Sequence, residues 1–538
     1  MLRRPIKPSA KAAAAALVVI VACAPPPPNG VAAVPPVVVD GNADEWRSVD
    51  PQLLDGPDSD PRLPVDIARV WARLFGDELL IAIDWTRTVS PQSMAGGVTL
   101  AIDADNNPAT GSRVGALPGA DLVVELSRQD APRPGGFGTG VSVRRVTASG
   151  IGNREGPAGA SVDLAPTFAT PRLELRVDLS RTPGGRGTDA AHLSAALQLV
   201  AEGATGGADS TAVITIHQER PLPRAVVPRP AVPPPPPGTI RAMTWNVADA
   251  GIRTSEGATV RILQAIRPDV VLFDELSAQE TTESLRQLLG AALPPSSAWA
   301  LELGRCGGRQ RNMIAVRGGA VRPVAALQCL TQPPEAGELA REFPGDRLLP
   351  AVEREREHRL AVLGALVCIR DRALLVVSLD LPSGGYAGSL EDRWRTITVT
   401  GIAAALARTR TPHDGVVVGG DFNLVGVRGP LDSLAAAVAR LDGHVQVASA
   451  VRIGRGSVAT WNDTKYPEWA SGRLDYLLVG GANSGVVQAF VLEPSDLPHA
   501  AGGLQPTDRS AVSGHMPVVA DLRVGAASSQ GAGCRGGL

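Results

Sequence analysis

The stretch "GVVVGGDFNLVG", residues 415–426, places a carboxylate and an amide directly after a run of valines. Three β-branched residues in so short an apolar run predict a buried strand. In extended chain Asp421 and Asn423, at positions i and i+2, point to the same side. The stretch therefore predicts two oxygen-bearing side chains presented together where a core strand ends.

Four other apolar segments carry a similar polar residue at one end. Asn246 follows "RAMTW", Glu275 follows "VVLFD", Asp475 lies in "GRLDYLL" and His515 precedes "MPVVADL". Singly, each residue is typical of a surface or of a satisfied core polar group. Together they predict one site at one edge of a sheet. Carboxylate and amide oxygens suit a hard divalent ion and a histidine can move a proton, so the set indicates metal-assisted hydrolysis.

Strands and helices must alternate to bring these residues together, and from Thr239 onward the sequence does alternate. Strands are predicted at "TIRAMTWNV", "DVVLFDEL", "RNMIAVR", "RALLVVSLDL", "GVVVGG", "GRLDYLLVG" and "HMPVVADLRV". Helices are predicted at "TVRILQAIRP", "ESLRQLLGAAL", "RWRTITVTGIAAALARTR" and "LDSLAAAVARL". This order predicts a layered α/β domain around a buried sheet.

The segments "TWN", "DEL", "GGDFN", "RLDYLL" and "SGHMPV", in this order, resemble the endonuclease/exonuclease/phosphatase family, whose fold is DNase I-like. The resemblance implies a four-layered α/β sandwich of two packed sheets. It also implies a metal-dependent phosphoric ester hydrolase that uses Mg²⁺ or Mn²⁺.

The resemblance assigns roles to the polar residues. It makes Glu275 the metal-binding glutamate, with Asn246 beside it. Asp421 would orient or deprotonate the attacking water, and Asn423 would hold a phosphate oxygen or the metal shell. Asp475 would pair with His515, which fixes the imidazole tautomer and favours its protonated form against the phosphate.

Two positions depart from the family pattern. The family usually has Ser-Asp-His where this chain has Ser513, Gly514 and His515, so a metal-site carboxylate is missing. Many members have Asn-x-His-Leu where this chain has "SLDL", which puts Asp380 in the place of the histidine. We hypothesise that Asp380 supplies the carboxylate that position 514 lacks.

Residues 36–219 have a different texture, with short alternating segments between turns. The segments "ARVWARLF", "ELLIAIDW", "VTLAIDAD", "DLVVELS" and "LELRVDLS" predict the strands of an antiparallel β-sandwich. In "VDGNADEW", Asp40, Asp44 and Glu45 surround a glycine turn and Trp46 can fold under the sheet. Together with the acidic loop described next, this segment resembles the family-9-like and DOMON-like carbohydrate-binding modules.

The loop "IDADNNPATGS" and the following "GADLVVEL" bring acidic residues together. They hold Asp103, Asp105, Asn107 and Asp121. Closely spaced Asp and Asn oxygens are typical Ca²⁺ ligands, and they are equally typical of turns in which Asp and Asn cap backbone groups. Both interpretations stay open. Sugar binding would need exposed aromatic side chains, and aromatic residues are only 3% of the chain.

The remaining segments indicate export. Residues 1–22 carry four basic residues and then an apolar run of 11, which is too short to span a bilayer and typical of a signal peptide. "IVAC" resembles a lipobox, which predicts a lipid-anchored protein of the cell envelope that begins at Cys23; the alternative is an ordinary secreted protein. Residues 23–35 form a proline-rich tether and 220–238 a proline-rich linker. Residues 239–525 form the second domain, and 526–538 a disordered tail.

Neither the charge distribution nor the cysteines identify the substrate or a binding partner. From Thr239 to the end, 30 Arg and Lys balance 30 Asp and Glu, so no basic stripe for nucleic acid is evident. The most basic run holds Arg305, Arg309, Arg311 and Arg317. A small phosphoester, a phospholipid headgroup and nucleic acid all remain candidate substrates, and the competing class is a binding protein with an impaired site. The pairing of Cys306, Cys329, Cys368 and Cys534 and the oligomeric state are not predicted.

Overall fold

The computed structural model describes residues 37–525 and Cys534, apart from gaps at 43, 48, 55–64, 95–96, 127–139, 158–160, 183–193, 203–207, 219–230, 294–297, 309, 464, 466–470 and 498–502. The predicted signal peptide, Cys23, the tether, the first part of the linker and all of the predicted tail except Cys534 lie outside the described residues. No helix among the described residues is long and apolar enough to cross a membrane.

The N-terminal domain is built from antiparallel strands. In its described residues these are β1 (Leu53–Leu54), β2 (Ile67–Phe75), β3 (Glu78–Val89), β4 (Val98–Asp103), β5 (Ser112–Val114), β6 (Leu117–Ala120), β7 (Leu122–Leu126), β8 (Val141–Thr147), β9 (Gly150–Glu155), β10 (Val162–Ala165), β11 (Thr170–Asp178), β12 (Ser194–Glu202), β13 (Ala208–Ser210) and β14 (Ile214–His217). One sheet has the order β1-β2-β3-β11-β10 and the other β13-β12-β4-β7-β8-β9, with β14 beside β12. The predicted antiparallel sandwich is confirmed.

The two sheets of this sandwich enclose one apolar core, because alternate residues of each strand face inward. On the outer face of the first sheet, Trp46 is buried against Trp71 and Leu80. Its indole Nε1 donates to Glu174 Oε1 at 3.0 Å. Burial raises the pKa of Glu174 to about 8, although its carboxylate also accepts from two backbone amides.

The C-terminal domain mixes strands and helices. Its strands are β15 (Ile240–Asp249), β16 (Val270–Ser277), β17 (Trp299–Leu303), β18 (Gln310–Arg317), β19 (Ala320–Gln328), β20 (Val362–Ile369), β21 (Arg372–Asp380), β22 (Gly415–Asp421), β23 (Val445–Val447), β24 (Val451–Arg452), β25 (Asp475–Gly480), β26 (Ser484–Val491) and β27 (Val518–Val524). Its helices are α1 (Gly251–Thr254), α2 (Glu256–Ile266), α3 (Thr282–Ala292), α4 (Leu339–Glu342), α5 (Leu349–His358), α6 (Leu390–Arg408), α7 (Gly429–Asp442) and α8 (Asp508–Val512).

These elements form four layers. One sheet has the order β17-β18-β16-β15-β27-β26-β24 and the other β19-β20-β21-β22-β25-β23. Helices α2 and α3 pack on the outer face of the first sheet, and α6 and α7 on the outer face of the second. A third apolar core, rich in Val, Ile and Leu, fills the space between the sheets. The predicted four-layered α/β sandwich is confirmed.

The two domains share a buried interface. Val39 bridges to Ser457, and Val37, Val39 and Trp46 form one apolar cluster with Val458 of the second domain. The described part of the linker, residues 231–238, lies against the C-terminal domain, where Val232 packs on its core and the Pro233 carbonyl accepts from Arg241 Nη2 at 2.9 Å. The proline-rich segment is therefore in contact with the folded domain over this part of its length.

Disulfide bonds pair all four cysteines that follow Cys23. Cys306 is bonded to Cys329, and Cys368 to Cys534. The second bond ties a residue of the predicted tail to strand β20, so that tail is covalently held to the domain at this point.

Candidate active site

The side chains between the two sheets change from apolar to polar at one edge. Strand alternation points Asn246 of β15 and Asp274 of β16 into this space from the first sheet, where the two residues are paired in register. From the second sheet, Asp421 of β22 lies between Asp380 of β21 and Asp475 of β25 in the ladder. The chain thus presents polar groups from five strands to one volume.

Three carboxylates in this volume form a candidate metal centre. Oxygen atoms of Glu275, Asp380 and Asp421 lie within 4.8 Å of one another. Glu275 reaches the group through a β-bulge that interrupts the pairing of β16 with β18, and its φ is +56°. A left-handed conformation at a non-glycine residue costs roughly 1–3 kcal/mol, which the surrounding structure must offset. Gln310 Nε2 donates to Glu275 Oε2 at 2.5 Å and fixes the carboxylate.

Three carboxylates at this distance suit a hard divalent cation, because their negative charges repel one another unless a cation or a proton intervenes. Burial raises the pKa of Asp421 to about 7; the charge of His515 opposes this, while those of Asp475 and Glu275 add to it. A bound Mg²⁺ or Mn²⁺ would favour the charged form of Asp421. The donor set therefore fits such an ion, whose ligands would be Glu275, Asp380 and Asp421.

Asn246 lies beside this centre and is fully buried. Its side-chain Nδ2 donates to Glu275 Oε1 at 2.9 Å and to Asp421 Oδ2 at 3.2 Å. Its Oδ1 accepts from the backbone N–H of Ala248 at 3.0 Å. In this arrangement the amide oxygen is turned to the backbone, so Asn246 orients two carboxylates, whereas the sequence predicted a place beside the metal itself.

The residues Asp475 and His515 form a buried pair. His515 Nδ1 lies 2.9 Å from Asp475 Oδ2, and His515 Nε2 lies 3.6 Å from Asp421 Oδ2. Thr460 Oγ1 donates to the same Asp475 oxygen at 2.7 Å. Burial alone lowers the pKa of His515, but the negative charges of Asp475 and Asp421 outweigh it and raise the pKa to about 9. The imidazole is therefore a cation at neutral pH.

Asn423 is held mainly through the backbone around it. Strand β22 ends at Asp421, and Asn423 has a φ of +48°, so the strand alternation expected from the sequence does not extend to it. Its backbone N–H donates to Asp421 Oδ1 at 2.9 Å, and its side-chain Nδ2 donates to the Leu381 carbonyl at 2.8 Å. The tight turn brings Asn423 back against Asp421.

Asp274 is an acidic residue of the site that sequence reasoning missed. It is 0% exposed, and neither carboxylate oxygen has a hydrogen-bond partner among the described residues. Burial raises its pKa well above the usual value, and the charges of Asp380 and Asp475 add to this effect. The signal was present in "FDEL", where an aspartate stands inside an apolar strand. Gln310 and Thr460 were also missed, since no local pattern marks either residue.

Gly514, the first of the two departures from the family pattern, lies against another side chain. A Cβ at this position would lie 2.6 Å from the Cβ and 2.8 Å from Oδ2 of Asp463. Asp463 therefore occupies the space that a side chain at position 514 would need. A carboxylate is present next to Gly514, although it comes from another loop.

The acidic cluster of the sandwich domain is a separate feature. Ligand atoms of Asp103, Asp105 and Asp121 lie within 4.8 Å of one another. Each also accepts a backbone N–H: that of Asn107 for Asp103 and Asp105, and that of Ala104 for Asp121. The side-chain oxygen of Asn107 accepts from Ala109 N at 3.1 Å. The ligand atoms of the cluster lie at a spacing that fits a metal ion, and they also cap their own turn.

Several solved structures are similar to this chain, and three of them follow. The TDP2 of D. rerio in complex with single-strand DNA product is 17% identical over 53% of this chain and 98% of that chain, with a TM-score of 0.33. The 3' phosphatase NExo from Neisseria, bound to a product DNA hairpin, is 16% identical over 52% and 98%, with a TM-score of 0.32. An endonuclease/exonuclease/phosphatase from Bacteroides vulgatus is 15% identical over 53% and 99%, with a TM-score of 0.34.

No curated protein matches the chain. A sequence model of the Endonuclease/Exonuclease/phosphatase family matches residues 243–508. The matched range contains the candidate metal centre, and the sheets, helices and polar edge described above have the architecture that the sequence resemblance implied. The C-terminal domain is therefore similar to the Endonuclease/Exonuclease/phosphatase family.

Proposed function

We propose that this protein is a metal-dependent phosphoesterase that hydrolyses a phosphodiester or a phosphomonoester. The observation that carries the proposal is one cluster at one edge of the inter-sheet core: three carboxylates within 4.8 Å of one another and a buried His–Asp pair. So many like charges would destabilise a purely structural core, because buried carboxylates without a cation are strongly destabilising.

The position of each residue in the site suggests its role in hydrolysis. The oxygen of a water attacks phosphorus, and Asp421 takes a proton from that water while the ester P–O bond breaks. The cationic His515 lies 3.6 Å from Asp421 and can donate a hydrogen bond to a phosphoryl oxygen. A divalent ion held by Glu275, Asp380 and Asp421 would supply positive charge for the phosphate. The side chain of Asn423 is the remaining polar group of the site that could hold a phosphate oxygen.

The arginines near the site support a small substrate. Arg311 Nη2 donates to the backbone carbonyls of Ser277, Ala278 and Glu280, and Arg317 pairs with Asp269 at 3.1 Å. Both are engaged within the fold, and Arg309 lies outside the described residues. From Thr239 to the end of the sequence, Arg and Lys are equal in number to Asp and Glu. A small phosphoester or a phospholipid headgroup is therefore the preferred substrate, and nucleic acid the second choice.

A catalytically impaired binding protein is the second candidate. Its support is the altered pair of positions, Asp380 and Gly514. We favour the enzyme because Asp380 joins Glu275 and Asp421 in one group of ligand atoms. A decayed site would not be expected to gain a carboxylate at the place where metal ligands converge.

The proposal extends to export and to the sandwich domain. We propose a lipid anchor at Cys23 and a location in the cell envelope. We also propose Ca²⁺ at Asp103, Asp105, Asn107 and Asp121, with the sandwich as an accessory binding module. Two disulfide bonds favour an oxidising compartment. The likeness of the sandwich to carbohydrate-binding modules stays a prediction.

The decisive experiment measures hydrolysis by the full chain, purified in detergent. The substrates are bis(p-nitrophenyl) phosphate, p-nitrophenyl phosphate and plasmid DNA, with Mg²⁺, Mn²⁺ or EDTA. We expect turnover that needs metal and that falls about 10²-fold or more in both Glu275→Gln and His515→Gln.

Two matched variants serve as controls. Glu283→Gln changes an exposed glutamate that pairs with Arg286, and His413→Gln removes another histidine that pairs with an aspartate, Asp442, at 3.1 Å. Both should keep wild-type turnover. A folded wild type that is inactive on all three substrates with either metal would favour the impaired binding protein.

A further inference from the structure

One loop of the sandwich domain reaches the backbone that carries the candidate catalytic residues. Between β10 and β11, the hydroxyl of Thr167 lies 2.6 Å from the Leu424 carbonyl oxygen and 3.1 Å from that of Arg473. Leu424 directly follows Asn423, and Arg473 stands two residues before Asp475. One side chain of the first domain therefore contacts two segments of the site in the second.

The orientation of Thr167 is fixed on every side. The residue is 5% exposed, and its carbonyl accepts from Gln92 Nε2 at 2.8 Å. Gln92 is itself 2% exposed and accepts from the hydroxyl of Ser90. The methyl group lies against Gly472, where a Cβ would stand only 2.2 Å from Thr167 Cγ2. Since the methyl group is confined there, the hydroxyl faces the two carbonyls.

Backbone hydrogen bonds on both sides of Thr167 also join the two domains. Two residues beyond Thr167, the N–H of Ala169 donates to the Gly426 carbonyl at 2.8 Å. On the other side, the N–H of Leu164 donates to the Ser471 carbonyl at 3.0 Å. The loop and the strand before it thus follow the two segments of the second domain over several residues.

A buried ion network keeps the two domains in this register. Asp163 of the sandwich lies 3.4 Å from Arg176 in its own domain and 3.7 Å from Arg452 in the other. Arg452 also pairs with Asp496 at 2.7 Å. All four side chains are at most 4% exposed. Breaking a buried pair leaves an uncompensated charge, so the docked arrangement resists separation.

The two segments need such support, because they leave regular strand geometry at the site. Asn423 is held at a φ of +48°, and the chain before Asp475 has not yet entered β25. The hydroxyl of Thr167 is a donor to the buried Leu424 carbonyl and a second donor, beside the Tyr476 hydroxyl, to the Arg473 carbonyl. Removing the hydroxyl therefore loosens both segments together.

We propose that Thr167 is a positioning residue of the active site: its hydroxyl ties the segment of Asn423 to the segment of Asp475, which makes the sandwich domain part of the catalytic unit. The inference rests on the proposed phosphoesterase function for its link to catalysis. The geometry of the tie itself is independent of that function.

The test compares Thr167→Val and Thr167→Ser in the full chain. Hydrogen–deuterium exchange is measured on peptides that cover 421–427 and 471–476, and kcat and KM on bis(p-nitrophenyl) phosphate with Mg²⁺. For Thr167→Val we expect faster exchange in both peptides and a kcat about tenfold lower, with KM within about twofold, since misplacement affects the transition state more than binding. Thr167→Ser should restore both readouts.

The matched control is Thr182→Val, which removes another buried sandwich hydroxyl, one that donates to Leu179 within its own domain at 2.7 Å. It should leave exchange in the two peptides and kcat unchanged. Unchanged exchange in Thr167→Val would overturn the proposal whether or not the protein is active, and faster exchange with wild-type kcat would overturn the link to catalysis. An inactive wild type would count against the proposed function alone, because exchange still tests the tie.

Discussion

The two acidic clusters of this protein are alike in composition and different in origin. Asp103 ends β4, Asp105 lies in the loop after it and Asp121 directly precedes β7, which pairs with β4. Each accepts a hydrogen bond from a nearby backbone N–H. Glu275, Asp380 and Asp421 come from three strands of two sheets. The first cluster satisfies backbone groups of its own turn, so its residues have a local structural role whether or not an ion binds there.

The second cluster is assembled over longer distances. Asp421 accepts from the backbone N–H of Asn423, but Asp380 reaches it from the neighbouring strand and Glu275 from the facing sheet. A buried neighbour, Asp274, adds a fourth acidic group with no hydrogen bond among the described residues. Bringing like charges together from distant parts of a chain destabilises a fold unless something binds there. The comparison indicates that clustering of acidic residues alone is a poor guide to function. The distance in sequence between the clustered residues is a better guide.

The strongest test of the contrast replaces one aspartate in each cluster. Asp421→Asn keeps the shape and removes the proton acceptor, so we expect kcat on bis(p-nitrophenyl) phosphate to fall about 10²- to 10⁴-fold. Asp121→Asn should leave kcat within about twofold, because the sandwich cluster takes no part in the chemistry. Circular dichroism of both variants checks that they are folded. Equal losses in the two variants would remove the distinction between the clusters.

A smaller effect is expected on metal affinity. Asp380→Asn removes one of three candidate ligands, and we expect the Kd for Mg²⁺, measured by calorimetry on the full chain, to rise about tenfold or more. The control is Asp432→Asn, since Asp432 is exposed on α7 and pairs only with the neighbouring Arg428. An unchanged Mg²⁺ affinity in Asp380→Asn would show that this residue does not replace the carboxylate missing at position 514.

Much of the fold could be predicted because its signals are local. Runs such as "VVLF" and "GVVVGG" are apolar on both faces, which is what a sheet covered on both sides requires, and the helices carry regular apolar spacing. The polar ends of these runs were visible for the same reason. Family resemblance then supplied the order of the segments and the DNase I-like fold.

The contacts between distant segments could not be predicted. Gln310 reaches Glu275 through a β-bulge, and Asp463 fills the space beside Gly514 from a separate loop. Asn423 has a left-handed φ, which the alternation of side chains along a strand does not predict. The domain interface was missed altogether, because a proline-rich linker suggests separation and Thr167 carries no pattern of its own. These features arise from packing, which a reading of local periodicity does not contain.

The smallest expected effect is on stability in the absence of metal, and it concerns the sandwich cluster. Burial raises the pKa of Asp103 from 3.8 to about 7 and that of Asp121 to about 6, and the negative charge of Asp105 adds to both shifts. Between pH 4 and 7 the folded protein therefore holds protons that the unfolded chain has lost. Since the folded state binds more protons, the free energy of unfolding falls as pH rises through this window.

Urea unfolding in EGTA at pH 5 and at pH 8 measures this dependence, and Asp103→Asn should reduce it, because an amide does not titrate. The raised pKa values of Asp121, Glu174 and Asp421 leave the rest of the dependence in this variant. Calcium separates the two interpretations of the cluster. If the ion binds, adding Ca²⁺ raises stability at pH 8, where Asp103 and Asp121 are charged, and has a smaller effect at pH 5, where these two residues carry protons. Equal stability at pH 8 with Ca²⁺ and with EGTA would mean that the aspartates only cap their turn, which would complete the contrast with the carboxylates of the second domain.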